Sequence, residues 1–338
     1  MAGGRRERSS LPMLERGTGK RPTPSLCFRG PACRRVEAMS AVVSATLGVS
    51  VASRVRGFVA LTKPRIIELL LVTTIPTMFV AERGLPRVTL MLATLVGGTL
   101  AAGGANAINM VVDRDIDAVM KRTRNRPLVT GVVTPAQALV FALGLEVAAF
   151  AELWAAVNLL SALLAVSATA FYVLVYTMWL KRTSRQNIVI GGAAGAVPVL
   201  VGWAAVRGNL DLAPIVLFVL MFLWTPPHFW ALAIRYREDY RSVDVPMLPV
   251  VTSMRKTSWQ ILVYTVLVVA ASGAFGAAAG LGAIYWAAAA ALGAVFVYFA
   301  VALWRAPSDE KAMRLFHWSI SYVTLLFVAM AVDALVFR

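Results

Sequence analysis

The sequence predicts an all-α fold, a polytopic membrane bundle of about nine transmembrane helices around a central cavity. Three observations predict it. The chain is 59% hydrophobic with a mean hydropathy of +0.72, too apolar for an ordinary soluble domain. Its apolar runs recur at the length a bilayer requires, without the alternation of a membrane barrel. Its basic residues gather in every second connection. Only helices and closed barrels satisfy their backbone groups in lipid, so the runs read as helices.

Taken in order, the first run covers 66–82 and the second 88–112, which closes on Asn109-Met-Val-Val-Asp113-Arg-Asp115-Ile-Asp117. The third, 134–153, carries Glu146 and Glu152, two acids with no partner evident in the sequence. The fourth, 156–179, leads into Tyr176-Thr-Met-Trp-Leu-Lys181-Arg182, and the fifth, 187–206, opens on Gly191, Gly192 and Gly195, small residues that allow close helix approach. The sixth, 211–236, contains Trp224-Thr-Pro-Pro-His-Phe-Trp230; paired prolines remove backbone donors and predict a break lining a cavity. The seventh and eighth cover 257–279 and 281–304, and the ninth, 315–337, begins near His317, which reads as interfacial.

The net charge of +16 does not point to nucleic acid, because of where it lies. Arg54, Arg56, Lys63 and Arg65 precede the first helix, Arg114 to Arg126 follow the second, and Lys181, Arg182 and Arg185 follow the fourth. Further basic residues follow the sixth and eighth, whereas the alternate connections hold only Arg83, Arg87 and Arg207. This positive-inside pattern predicts an N-terminus on the cytoplasmic (or matrix) side and a C-terminus opposite. Residues 1–50 are of a different composition, rich in Arg, Gly, Pro and Ser, and predict a disordered basic extension before a membrane domain at 51–338. The tail has the arginine content of a transit peptide but includes Glu7, Glu15 and Glu37, and Met39 offers an alternative start. Its Cys27 and Cys33 have no ligand spacing to a histidine.

Asn109, Asp113 and Asp117 are spaced by fours, which on an uninterrupted α-helix puts them on one face at the membrane edge. Carboxylates there need neutralising, and Mg²⁺ is the natural partner, since it takes one or two carboxylates together with substrate phosphate oxygens. The basic run from Lys121 to Arg126 suits the phosphate. A second acid group, Glu238-Asp239, lies on the same side after the sixth helix. Three roles are open to His228: metal ligand, proton carrier, or partner to a freed carbonyl.

These segments resemble the UbiA superfamily of intramembrane prenyltransferases, and within it the branch that acts on haem. The resemblance runs from 58 to 337, through Leu61-Thr-Lys-Pro-Arg65, Asp113-Arg-Asp-Ile-Asp117, Arg122-Thr-Arg-Asn-Arg-Pro-Leu128, Tyr176 to Arg182, Asn187 to Gly192, Trp224 to Trp230 and Val245-Pro-Met-Leu-Pro-Val250. It implies transfer of farnesyl from farnesyl diphosphate to a vinyl group of haem B, with water completing the addition to give haem O. It further implies Mg²⁺ on Asn109, Asp113, Asp117 and Asp239, diphosphate on Arg122, Arg126, Lys181 and Arg182, and haem or its propionates near Lys63, Arg65 and His228. Asp113, Asp117 and His228 are the catalytic candidates. The implied setting is a bacterial cell membrane, or alternatively a mitochondrial inner membrane, with haem A synthase and haem-copper oxidase assembly factors as protein partners. Two segments depart from the pattern. Val243-Asp244 stands where Ala-Gly is usual, so Asp244 is not counted as a ligand, and Glu238-Asp239 replaces the spaced aspartate pair of quinone-type relatives. A prenyltransferase for a quinone precursor or chlorophyll-type acceptor is the alternative enzyme. A transporter is the non-enzyme alternative, although its acids would be expected at the midplane.

Overall fold

A computed structural model describes residues 50–337, apart from the side chains of Arg65, Ile66, Leu69, Leu70 and Leu71. The predicted N-terminal extension and both cysteines lie outside the described residues. Every regular element among the described residues is helical, and all belong to one compact unit, Val49–Arg338.

A short helix, α1 (Val51–Thr62), which hydropathy alone did not single out, starts where the Ser50 side chain accepts from Ser53 N–H at 3.2 Å. It ends at Lys63, in the left-handed region at φ 52°, and α2 (Pro64–Glu82) begins with proline at its first position. Then come α3 (Val88–Val112), the short α4 (Arg114–Val119) and α5 (Pro135–Ala156), which opens with a reciprocal capping box between Thr134 and Gln137. Helix α6 (Leu159–Thr183), α7 (Asn187–Arg207) and α8 (Leu212–Arg235) follow, then two short pieces, α9 (Arg237–Arg241) and α10 (Leu248–Val251). The chain closes with α11 (Met254–Ala279), α12 (Ala283–Arg305) and α13 (Asp309–Val336). Among the described residues, eight helices are long and apolar enough to cross a membrane: α3, α5, α6, α7, α8, α11, α12 and α13. The 19-residue α2 joins them in the bundle.

Each long helix packs on the next in the order α2, α3, α5, α6, α7, α8, α11, α12, α13, and α13 returns to α2, closing a ring. Cross-contacts of α2 with α7 and of α8 with α13 tie its two halves together. Trp230, Phe275, Tyr285, Phe296, Tyr322 and Phe327 are fully buried between α8, α11, α12 and α13. Val140, Val147, Trp154, Leu174 and Tyr298 point outward, as a lipid environment favours.

Three expectations need correction. The last helix begins at Asp309 rather than 315, because Ser308 caps it by accepting from Lys311 N–H at 3.2 Å and the polar first turn extends past the apolar run. Pro226 and Pro227 do not break α8, which is continuous from Leu212 to Arg235. A proline deletes only its own N–H bond, here those to the carbonyls of Phe222 and Leu223, and both rings are buried against neighbouring helices that hold the axis. Finally, α3 stops at Val112: Asp113, at φ −86° and ψ 4°, leaves helical geometry before α4 resumes, so the three residues spaced by fours do not lie on one uninterrupted helix. Backbone bonds nonetheless run through the joint, from Asp113 N–H to Asn109 C=O and from Asp117 N–H to Asp113 C=O, each 2.9 Å.

Candidate functional site

The acidic motif is buried: Asn109 is 4% exposed, Asp113 0% and Asp117 3%. Carboxylates so placed need close positive partners, and the fold supplies them from three segments. Lys181 forms a short ion pair with Asp113, and Arg126 Nη1 lies 2.5 Å from Asp117 Oδ2. Lys63 donates to Asn109 Oδ1 at 2.8 Å, and Asn109 donates in turn to Asp113 at 2.7 Å and to Thr177 Oγ at 3.2 Å. Arg182 sits 3.8 Å from Asp113 but grips Asp115 with two bonds of 2.7 Å.

Local backbone choices make this convergence. Residues Phe171–Leu180 of α6 form a π-helix, in which the Thr177 hydroxyl donates to the Tyr172 carbonyl five residues back at 2.8 Å. A wider turn brings Tyr172 and Thr177, five apart, onto the face from which Lys181, just past its end, meets the acidic motif, a register that a 3.6-residue reading does not anticipate. At the α1–α2 joint, Asn106 donates to the Thr62 carbonyl at 3.0 Å, and the left-handed turn at Lys63 aims its ammonium at Asn109. Burial, and then the charges of Arg126 and Lys181, lower the Lys63 pKa to about 7. The Arg182 bonds hold Asp115 at about 2. Arg65 lies in the first turn of α2, and its side chain is outside the described residues.

Asp113 Oδ1 is buried and accepts no hydrogen bond. An anionic oxygen in that position suits a cation, and the amide and carboxylate oxygens of Asn109, Asp113 and Asp117 are the hard donors Mg²⁺ takes. Among the described residues no three of the His, Cys, Asp and Glu side chains cluster as a metal site, so water or substrate oxygens would complete the shell of an ion here, and Asp239 does not form a carboxylate triad with Asp113 and Asp117.

The second acid group has another structural part. Glu238 is exposed and pairs with Arg241 at 2.6 Å, while Arg237 bonds Asp309 at 2.7 Å. Arg122 donates to the Tyr240 hydroxyl at 2.7 Å and lies over the Tyr240 and Tyr236 rings at 4.8 and 5.2 Å. The connections after α3, α6, α8 and α12 are thus linked at one end of the bundle, as the alternating charge pattern anticipates. Tyr236, Tyr240 and Thr177 are parts of the site that sequence reading passed over.

Asp244 is exposed and adopts φ 53°, a conformation glycine takes at little cost. Its role is in the backbone of the turn. Asp244→Gly should therefore leave activity unchanged and alter stability by no more than about 1 kcal/mol, read from the thermal midpoint of the purified protein.

His228 is 8% exposed, stacked between Trp224 (ring centroids 4.3 Å apart) and Phe316 (4.6 Å), with Nδ1 2.7 Å from Ser319 Oγ. His317 is exposed. Glu146 and Glu152 also find places. Each lies over a glycine of α3, Gly104 and Gly97 respectively, where an added Cβ would collide with the carboxylate, and Thr169 donates to Glu146 at 3.2 Å.

Fold and site together form a ring of membrane helices with hard-oxygen donors and converging cations at one rim. The model of the UbiA prenyltransferase family matches residues 70–322. A protoheme IX farnesyltransferase from Pseudarthrobacter chlorophenolicus is 51% identical over 294 residues, covering 86% of this chain and 92% of its own length. One from Frankia casuarinae is 52% identical over 287 residues, covering 84% of this chain and 99% of its own. Among solved structures, a digeranylgeranylglyceryl phosphate synthase superposes with TM-score 0.69 at 19% identity, covering 83% of this chain and 98% of that one. A UbiA homologue from Archaeoglobus fulgidus bound to GPP and Mg²⁺ gives 0.55 at 14%, covering 81% and 99%. At those identities the structures bear on the fold alone. The chain belongs to the UbiA prenyltransferase family.

Proposed function

We propose that the protein transfers the farnesyl group of farnesyl diphosphate to a vinyl group of haem B, with addition of water, giving haem O. Identity of about 51% to protoheme IX farnesyltransferases across more than nine-tenths of their length supports the substrates. The observation that carries the chemistry is the buried Asp113 carboxylate, with one oxygen on Lys181 and Asn109 and the other without a hydrogen bond.

In this reading Asn109, Asp113 and Asp117 hold Mg²⁺, with Asp239 at most an outer contributor. An ion held there would supply charge to offset that developing on the diphosphate leaving group. Lys181 and Arg126 exchange carboxylate for phosphate oxygens as the substrate enters, and Arg122, oriented by Tyr240, closes on the diphosphate from the adjoining connection. Arg182, already held by Asp115, takes an outer position, and Lys63 orients the Asn109 amide so that its charge also serves the anion. Excluding water protects the allylic cation until the acceptor reaches it. Haem lies with its vinyl edge toward His228, whose ring edge is left open between Trp224 and Phe316.

The direct test incubates purified protein with Mg²⁺, farnesyl diphosphate and either haem B or a hydroxybenzoate-type quinone precursor, with products identified by mass. Farnesylated, hydrated haem is the expected product; prenylation of the aromatic acid alone would reassign the acceptor. For the multi-pass arrangement, we place the ring's basic end on the cytoplasmic side of a bacterial membrane. Single cysteines at residues 121, 185, 241 and 311, in a chain lacking Cys27 and Cys33, should all be labelled from that side by an impermeant maleimide. Labelling of 121 and 241 from opposite sides would overturn the shared rim.

A further inference from the structure

The imidazole of His228 is held in a relay through Ser319 to the Phe316 carbonyl. The Ser319 hydroxyl lies 2.6 Å from the Phe316 carbonyl, to which it donates its only hydrogen, and 2.7 Å from His228 Nδ1. With that hydrogen on the carbonyl, Nδ1 is left to donate to Ser319 Oγ, the tautomer on which the proposal below rests. The remaining ring nitrogen, Nε2, then carries the lone pair. Ser319 is itself pinned, since its own carbonyl accepts from Trp224 Nε1 at 2.9 Å and its side chain is fully buried. Trp224 and Phe316 cover both faces of the ring, with interplanar angles of 18° and 27°, so only its edge is available. Among the described residues nothing hydrogen-bonds Nε2, and it is not one of the buried polar atoms left without a partner, so the small exposure of His228 includes that edge. Seven residues separate His228 from the end of α8 at Arg235, roughly 10 Å along a helix, which sets the imidazole below the cationic rim on the apolar side.

We propose that Ser319 is a positioning residue that fixes His228 in the Nδ1–H tautomer, and that His228 Nε2 is the base that takes a proton from the water added to the haem vinyl group. The proposal rests on the haem-farnesylating reading above. The bond between farnesyl C1 and the diphosphate oxygen breaks, its electron pair leaving with diphosphate. The vinyl π electrons bond the terminal vinyl carbon to C1 and leave positive charge on the carbon next to the porphyrin. A water oxygen bonds to that carbon, and one of its protons passes to Nε2 and then to solvent. Water bonded to a carbocation is strongly acidic, so a neutral imidazole suffices, but its lone pair must already face the water. Without it, the cation loses a proton from the adjoining carbon to the departed diphosphate, its electron pair forming a double bond, and the product lacks the hydroxyl.

The chain has two histidines, so His317→Gln leaves one imidazole for ¹⁵N magnetic resonance on the full-length protein in lipid. Its spectrum should show a neutral ring protonated at Nδ1. Adding Ser319→Ala should redistribute the proton between the nitrogens, lower kcat roughly 10- to 100-fold with the KM for farnesyl diphosphate unchanged, and shift product toward the dehydrated form. Ser319→Thr, which keeps the hydroxyl, should restore tautomer and product if it folds. If Thr does not fold, the Ala spectrum and product ratio decide. A proton on Nε2 in the parent, or an Ala variant making hydrated product at the parent rate, would overturn the proposal. A large change in the bound-haem absorption spectrum of His228→Gln would assign the residue to iron instead. Absence of any haem product in the parent would overturn the functional reading and with it the role of the base, whereas the tautomer measurement decides the Ser319–His228 arrangement independently of activity.

Discussion

Asp113→Asn is expected to cut farnesyl transfer by roughly 10²–10³-fold or more, the scale of removing one electrostatic stabiliser where charge develops. The amide keeps the size and can still meet Lys181, but it loses the anionic oxygen that now accepts no hydrogen bond and the charge that holds a divalent cation. Excess Mg²⁺ should not rescue it, and a chelator should bring the parent to the same floor. Asp117→Asn should fall similarly, with Arg126 freed from its 2.5 Å partner. The measurement is single-turnover transfer by purified protein whose thermal unfolding has been checked, because Lys181 loses a charged partner in a nearly buried position. Near-normal turnover at saturating Mg²⁺ would falsify the metal role.

The largest effect on stability is expected at the other end of the molecule. Asp333 is 1% exposed and accepts from Gly282 N–H at 2.6 Å and Tyr285 N–H at 3.1 Å, so α13 caps the first turn of α12 from 51 residues away. Asp333→Ala leaves two backbone donors unpaired inside the bundle, at about 1–3 kcal/mol each. A loss of about 2–5 kcal/mol should appear in denaturation of the detergent-solubilised protein, without any change in the KM for farnesyl diphosphate of the fraction that remains folded. Asp333→Asn, which keeps an acceptor, should lose less. Equal losses for Ala and Asn would show that charge, rather than the two hydrogen bonds, matters there.

Much of the architecture is legible in the chain because lipid leaves a backbone few options. A long apolar run must close its own hydrogen bonds, so nearly all the predicted spans reappear with ends moved by a few residues, mostly where Ser253, Ser308 or Asn158 caps a turn. The acidic motif and its cations were legible for the same reason: charge at the end of a membrane helix is costly and therefore conspicuous.

What sequence could not supply is geometry that depends on partners far away or on backbone departing from the α period. The wide turn from Phe171 to Leu180 changes which residues share a face, and no composition signal distinguishes it from ordinary helix. The left-handed turn at Lys63 reaches Asn109 across 46 residues, Arg122 meets Tyr240 across 118, and His228 meets Ser319 across 91. Helix identity is a local matter of hydropathy and hydrogen bonding, and the sequence alone determined it. Pairing across the bundle follows from how the ring closes, because only packing decides which polar side chains meet once lipid has excluded water, and that was left to the tertiary structure.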